Sequence, residues 1–246
     1  MKNSFERNFL KQTYEKPDAY DLARPSASYE DEVLGKLDLP QNAAILDLAS
    51  GSGNEADFFR KRIGGNVVES DFSRSGFDRQ DIHGNVVLSD AEQQPFRGGS
   101  FDLVHCKDLF VHLPNKELIL REVSRILKPK GKFVLTTQMA QEDDNFFYFR
   151  LVQPDRTVLT SEKIYFENPE DYPELVQEVK VHYGPVGKVN ESLPFYYLTE
   201  KSLEALLADT GFEFLNKSYW QPKKNEENWT KDPRIVYALK KSNTTK

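Results

Sequence analysis

Asp47, Gly51, Gly53 and Asp71 are the residues whose types and spacing could do chemistry. Ile45-Leu46-Asp47-Leu48-Ala49 is a nearly continuous apolar run, the pattern of a buried parallel strand. It turns through Ser50-Gly51-Ser52-Gly53 toward Ala56, Phe59 and Ile63, which recur at helical spacing. Glycines in such a turn let the backbone approach a ligand where a Cβ would obstruct it. Asp71 lies 20 residues beyond Gly51, at the end of a second apolar run. A carboxylate there can accept hydrogen bonds from ribose hydroxyls. Gly51-Ser52-Gly53-Asn54-Glu55-Ala56 also fits the dinucleotide fingerprint with alanine last. The pattern alone therefore leaves open more than one nucleotide class, and a plain structural turn besides.

Other reactive residues are sparse. Cys106 is the single cysteine, so no intramolecular disulfide forms and a reducing cytosol is expected. The four histidines, His83, His105, His112 and His182, show no metal-ligand spacing, and no metal is predicted. The net charge of −6 argues against a broad basic surface for nucleic acid. No stretch approaches the roughly 18 apolar residues of a membrane helix. Met1–Tyr14 lacks the apolar segment of a secretory leader, so a cytoplasmic location is expected.

The elements that must position these residues alternate strand and helix, which predicts an α/β fold with a parallel sheet. Helices are expected over Ser4–Lys16 and Tyr29–Leu37, the second capped by Ser26 or Ser28 and stopped by Pro40. Gly64-Gly65 ends the helix after the glycine turn. Strands follow at Asn66–Asp71, Asn85–Leu88, Phe101–Cys106 and Lys132–Thr137. Between the last two, Asn115 caps a helix carrying Ile119, Val123, Ile126 and Leu127 on one face. Residues 141–197 hold 11 of the 30 aromatics in under a quarter of the chain. Strands are expected there at Phe146–Val152 and Thr157–Phe166, around a turn at Pro154-Asp155. Thr199 caps a further helix with Leu203, Leu206 and Leu207, ended by Gly211, and Phe212–Trp220 and Arg234–Leu239 are the last strands.

Taken in order, these stretches resemble the class I S-adenosylmethionine (SAM)-dependent methyltransferases, in particular their small-molecule group. Ile45–Gly53 matches the first family motif and Ser70-Asp71-Phe72-Ser73 the acidic second-strand motif. Ser89–Phe96 and Ser100–Val104 match the third and fourth, and Val111-His112-Leu113-Pro114 with Glu122–Gly131 completes the set. There are three departures. Ala49 replaces the commonest first glycine, a small-for-small change expected to be harmless; Lys130 stands where glycine is usual; and the stretch from Asp71 to Val86 is short.

The resemblance implies a Rossmann-like, seven-stranded, mostly parallel sheet with helices on both faces and an aromatic-rich insertion after the fifth strand. Residues 1–246 would form one domain, with 1–40 a helical cover and 141–197 a lid over the acceptor. It also implies that the backbone of Ala49, Ser50, Gly51 and Gly53 lines the cofactor SAM, whose product is S-adenosylhomocysteine. Asp47 would help hold the ammonium through water, and Asp71 would take the ribose hydroxyls. Phe72 would pack on the adenine, Asp90 and Ala91 would meet its edge, and the backbone of Cys106 and Lys107 would border the methyl. Tyr14, Tyr20 and Arg24 would close over the amino-acid tail. His112 is the one candidate general base, and Asp102 is expected to be structural. The expected partner is a small-molecule acceptor rather than nucleic acid or membrane, on a monomer or homodimer. Rival readings are an NAD-dependent oxidoreductase and a SAM-binding protein without turnover.

Overall fold

The computed structural model describes residues 27–74, 77, 85–138, 141–143, 146–148, 150–152, 158–160, 164–165, 174–183, 189–220 and 234–242. The first half alternates as its hydrophobic pattern demands. Helix α1 (Ala27–Glu32) and a 3-10 turn (Leu34–Lys36) lead to β1 (Ala44–Leu48), α2 (Asn54–Ile63) and β2 (Asn66–Asp71). Then come β3 (Asn85–Leu88), β4 (Phe101–Lys107), a 3-10 turn at Phe110–His112, α3 (Lys116–Ile126) and β5 (Leu127–Gln138). The insertion carries β6 (Gln141–Asp143), β7 (Phe146–Tyr148), β8 (Arg150–Val152), β9 (Val158–Thr160), β10 (Ile164–Tyr165), β11 (Glu174–Tyr183) and β12 (Val189–Leu198). The chain finishes through α4 (Glu200–Asp209), β13 (Phe212–Trp220) and β14 (Arg234–Lys241).

Seven strands form one sheet in the order β13-β14-β5-β4-β1-β2-β3. Neighbours from β5 to β3 are parallel, while β14 runs antiparallel to both β5 and β13. Alternation along the strands divides the core. Ile45, Val67, Leu103, Val134 and Val236 pack against Tyr29, Leu34, Ala56, Phe59, Ile63 and Trp220. On the other face Leu46, Leu48, Val104, Phe133, Leu135 and Tyr237 pack against Ile119, Leu120, Val123 and Ile126 of α3 and Leu203 and Leu207 of α4. Helices therefore cover both faces, as a parallel sheet with two apolar sides requires.

Local differences from expectation have local causes. The predicted Tyr29–Leu37 helix breaks after Glu32 into the 3-10 turn, and Leu37 is already extended. Ser28 sits inside α1 instead of capping it, and its Oγ accepts from Trp220 Nε1 at 3.2 Å. Asn115 holds the N-cap position of α3 without a side-chain cap, whereas Thr199 Oγ1 does accept from the Ser202 N–H at 3.2 Å. Within the insertion, Val152 pairs with Val158 and Phe147 with Ile164, both antiparallel. Pro154 and Asp155 lie outside the described residues. The ten-residue hairpin of β11 with β12 was not legible in the sequence pattern.

The register between β4 and β5 slips from Phe101↔Leu127 to Leu103↔Lys132, so Lys128–Gly131 loops out of β5. A Cβ on Gly131 would stand 2.9 Å from the Lys128 carbonyl oxygen, which explains that glycine. Lys130 is exposed yet held at φ +64°. A non-glycine residue there costs roughly 1–2 kcal/mol, partly offset by the greater entropy glycine loses on folding. Lys130→Gly is expected to stabilise the fold by up to about 1 kcal/mol in chemical denaturation; a destabilised variant would show that the loop accommodates the lysine without strain.

Candidate functional site

The carboxyl ends of β1, β2 and β4 meet at one edge of the sheet, where open α/β sheets place their ligands. The turn after β1 is built from left-handed residues: Ala49 at φ +58°, Gly51 at +50° and Gly53 at +70°. Gly53 is also the N-cap of α2. The Gly53 N–H donates to the Ser50 carbonyl at 2.8 Å, and the Ser50 N–H to the Ser70 carbonyl at 3.1 Å, which ties the turn to β2. Position 49 thus asks for glycine because of its backbone angle, not its size. The expectation that alanine is harmless there is corrected to a modest conformational cost.

Asp71 fastens this turn from below. Its Oδ2 accepts the Gly51 N–H at 2.9 Å and its Oδ1 the Ser73 N–H at 2.9 Å. The side chain is buried, and burial pushes its carboxyl up to about 6, against the pull of the N–H groups of Ser73, Gly51 and Phe72. A carboxylate has about four acceptor positions, and the backbone N–H groups of Ser73, Gly51 and Phe72 take up part of them.

Asp47 is 2% exposed. Its Oδ1 lies 2.8 Å from His105 Nδ1, while Oδ2 is buried without a hydrogen-bond partner among the described residues. Ser50 Oγ, three residues on, is likewise buried and unpartnered. His105 Nε2 is 2.8 Å from the Tyr29 hydroxyl, which is 2.7 Å from Thr136 Oγ1. His105, Tyr29 and Thr136 were not among the expected site residues. The signal was the β1–β4 register, which sets Asp47 directly beside His105.

The other expected residues divide. Asp90 is exposed; its Oδ1 accepts the Glu92 N–H at 2.9 Å and its carbonyl accepts from Gln94 Nε2 at 2.8 Å, so it shapes the following turn. Ala91 is buried and Phe72 half-buried. The Cys106 side chain belongs to the core on the α3–α4 face, and burial pushes its thiol far up, so it is chemically quiet. Lys107 Nζ donates to Glu55 Oε1 at 2.5 Å and stands 4.5 Å from the Tyr29 ring centroid and 5.6 Å from that of Trp220. Next to it, Arg234 Nε donates to both carboxylate oxygens of Asp108, at 2.8 and 3.0 Å. Burial drives the His112 imidazole down to about 4, despite the nearby Asp108, so it is neutral at pH 7. That is below the range suited to a general base at neutral pH. Asp102 is structural, as expected: its Oδ2 accepts the Ala44 N–H and Lys128 Nζ, each at 2.8 Å. Tyr14, Tyr20 and Arg24 lie outside the described residues.

Beside this edge, a small cavity is lined by Phe110, Lys116, Thr137, Gln138, Tyr196, Leu198 and Leu203. The last strand of the insertion, β12, supplies Tyr196 and Leu198. Lys116, 4% exposed, donates from Nζ to the Leu113 carbonyl at 3.0 Å and lies 5.6 Å from the Tyr196 ring centroid.

A family profile described as a methyltransferase domain matches residues 46–135, the segment that carries β1 through most of β5. A glycine/sarcosine/dimethylglycine N-methyltransferase from Actinopolyspora halophila is 28% identical over 196 residues, 70% of this chain and 34% of that protein. The chain spans between about a third and two thirds of the length of the first curated relatives it matches. Among solved structures, 1,6-didemethyltoxoflavin-N1-methyltransferase from Burkholderia thailandensis, in complex with 1,6-didemethyltoxoflavin and S-adenosylhomocysteine, has a TM-score of 0.57 at 15% identity. That alignment covers 97% of this chain and 88% of the other. The [4+2]-cyclase SpnF has a TM-score of 0.63 at 13% identity, covering 95% of each chain. At such identities the structural likeness is one of fold.

The pKa of Asp71 can be read directly. A carbon NMR titration of its carboxyl is expected to give a midpoint near 6. A midpoint below that of an ordinary aspartate would show that the two backbone donors outweigh burial.

Proposed function

Residues 46–135 of this chain match the profile of the methyltransferase domain, and from that premise we propose that the protein binds SAM at the carboxyl ends of β1, β2 and β4 and transfers its methyl group to a small-molecule acceptor. The observation that carries this reading is the pair of buried, unpartnered acceptors, Asp47 Oδ2 and Ser50 Oγ, at the left-handed turn tied to Asp71. Buried polar atoms without partners cost free energy. A ligand bringing donors, such as an ammonium group and ribose hydroxyls, would relieve that cost. The residues present therefore fit SAM.

In this reading Asp71 accepts from the ribose hydroxyls with its remaining lone pairs, and Asp47 meets the ammonium. The backbone of Ala49, Ser50, Gly51 and Gly53 lines the nucleoside, with Phe72 against the adenine and Asp90 and Ala91 at its edge. The backbone of Cys106 and Lys107 borders the reacting carbon. Tyr20 and Arg24, from the N-terminal cover at 1–40, close over the tail. When bound, SAM supplies a methyl already activated on a sulfonium. The protein has to orient a nucleophile in line and exclude water. His112, neutral and of low basicity, suits a role in shaping the acceptor site rather than in taking a proton. Such an arrangement favours an acceptor whose nucleophilic atom needs little help, such as a neutral amine. The insertion at 141–197 acts as the lid, bringing Tyr196 and Leu198 onto the cavity beside Thr137 and Gln138. Among the described residues no helix is long and apolar enough to cross a membrane. Monomer and homodimer both remain compatible with this reading.

Calorimetric titration with SAM and with NADH tests it. Saturable binding of SAM is expected; saturable heat with NADH alone would overturn it. Asp71→Ala is expected to weaken SAM by roughly 1–3 kcal/mol through lost charge-assisted hydrogen bonds, and an unchanged dissociation constant would remove Asp71 from the site. Binding should also depend on pH, because ribose hydroxyls donate to the ionised carboxylate. With the Asp71 carboxyl near 6, affinity is expected to be level above that value and to fall by at most about tenfold per unit below it. The rival reading is a SAM-binding protein without transfer. Transfer of labelled methyl into a metabolite extract decides between them.

A further inference from the structure

The site contains a buried polar chain that none of the expected roles uses. It runs from Asp47 Oδ1 to His105 Nδ1 (2.8 Å), from His105 Nε2 to the Tyr29 hydroxyl (2.8 Å) and on to Thr136 Oγ1 (2.7 Å). All four residues are at most 2% exposed. They come from four separate elements: β1, β4, α1 and β5. With a neutral imidazole, one assignment of protons satisfies every member. Thr136 donates to Tyr29, Tyr29 donates to His105 Nε2, and His105 Nδ1–H donates to Asp47. Burial pushes the Tyr29 phenol well above its ordinary value, so its hydroxyl keeps the proton this chain needs.

The chain is better organised than folding demands. An apolar residue at position 105, packed against Phe59 and Tyr29, would bury the same region without a buried imidazole. His105 is already ringed by both, with centroids 5.7 and 5.9 Å away. A buried polar network adds little stability over such packing, and its gain is fixed geometry. The geometry fixed here is that of one carboxylate. With Oδ1 held by the imidazole, the Asp47 carboxylate cannot swing about its Cβ–Cγ bond, and the direction of the unpartnered Oδ2 is set.

We propose that His105 and Tyr29 are positioning residues that hold the Asp47 carboxylate, so that its free oxygen is preset to receive the ammonium of the amino-acid portion of SAM, and that Tyr29 makes this setting depend on α1 being docked. The inference rests on the SAM reading above and deepens it at one end of the same site. Docking of α1 is itself built around Tyr29. Its ring packs edge-on to Trp220 at 5.0 Å and lies under Lys107 Nζ, and the preceding residue, Ser28, accepts a hydrogen bond from Trp220 Nε1. Helix α1 is thus linked to the Asp47 carboxylate through one hydroxyl and one imidazole.

The test compares two ligands that differ only at that end. S-adenosylhomocysteine carries the amino-acid portion; 5′-methylthioadenosine has the same adenosine and sulfur without it. Each is titrated calorimetrically into the wild-type protein, His105→Leu, His105→Asn and Tyr29→Phe, with a melting temperature for each variant. His105→Leu is expected to weaken S-adenosylhomocysteine by roughly tenfold while 5′-methylthioadenosine binds as to wild type. His105→Asn keeps an N–H donor near the position of Nδ1, so it is expected to restore homocysteine-nucleoside binding to within about threefold of wild type, although it breaks the link to Tyr29 as fully as leucine does. Tyr29→Phe removes a single hydroxyl and is expected to fall between the two, which keeps the test available should His105→Leu fail to fold. Equal losses for both ligands, tracking the melting temperature and unrescued by asparagine, would make the chain merely structural and overturn the proposal. So would a His105→Leu protein that binds S-adenosylhomocysteine like wild type. Wild-type protein that binds neither ligand would instead overturn the SAM reading, and this inference with it.

Discussion

The contact on which the site depends is the hydrogen bond from the Gly51 amide to the Asp71 carboxylate, 2.9 Å long across 20 residues of sequence. It joins the turn after β1 to the end of β2. The turn has three left-handed residues within five positions; Gly51 and Gly53 adopt that conformation freely, whereas for Ala49 it costs free energy and persists only where the surroundings over-determine it. The parallel register supplies that determination. Leu48 lies beside Ser70, so the carboxylate one residue further on arrives beneath the turn. The carboxylate in turn is buried and would be costly alone; two backbone donors make it tolerable. Each strained or desolvated feature is held in place by another.

The same edge gathers charge in pairs. Asp47 faces His105, Glu55 faces Lys107, and Asp108 faces Arg234. The two partly buried ion pairs among these, Glu55 with Lys107 and Asp108 with Arg234, recover little more than the cost of removing their members from water, while the Asp47–His105 contact is a fully buried hydrogen bond. Their effect is on direction. They aim a carboxylate oxygen, keep Lys107 over the Tyr29 and Trp220 rings, and set Arg234 5.5 Å from the Trp220 ring centroid. By contrast, exposed pairs such as Arg121 with Glu117 on α3 contribute at most a few tenths of a kcal/mol, about the value of an i,i+4 helix pair. Charge at the sheet edge is therefore best understood as geometry for a ligand, and charge on the outer helix face as solubility.

The insertion meets this edge through the end of β12. Tyr196 is buried against Lys116, which lies in the first turn of α3. A cation there opposes the helix dipole, and it is compensated by the Leu113 carbonyl and the aromatic face. The cavity beside the edge thus combines apolar walls with a buried cation and amide, while the turn after β1 presents backbone groups and carboxylates.

Much of this was legible in the sequence. Period-2 and period-3.6 hydrophobic patterns located the seven sheet strands and the helices at Ala56–Ile63, Ile119–Ile126 and Leu203–Leu207, because each buries a face and burial is written in residue type. Glycine spacing and the carboxylate after the second strand located the turn and Asp71, because backbone conformation and hydrogen-bond capacity are local properties. The break of the first helix at Glu32, the absent cap at Asn115 and the ten-residue hairpin of β11 and β12 were not legible; they depend on neighbours distant in sequence. The same holds for the chain through His105. A histidine in the middle of an apolar strand reads as an interruption until β4 is set beside β1 and α1 is folded across both. Residue types and spacing determined which groups this protein has at its sheet edge, whereas tertiary structure alone decided which of them touch, because a side chain 2.8 Å from another across 58 or 76 residues is fixed by strand register and helix docking that no local pattern encodes.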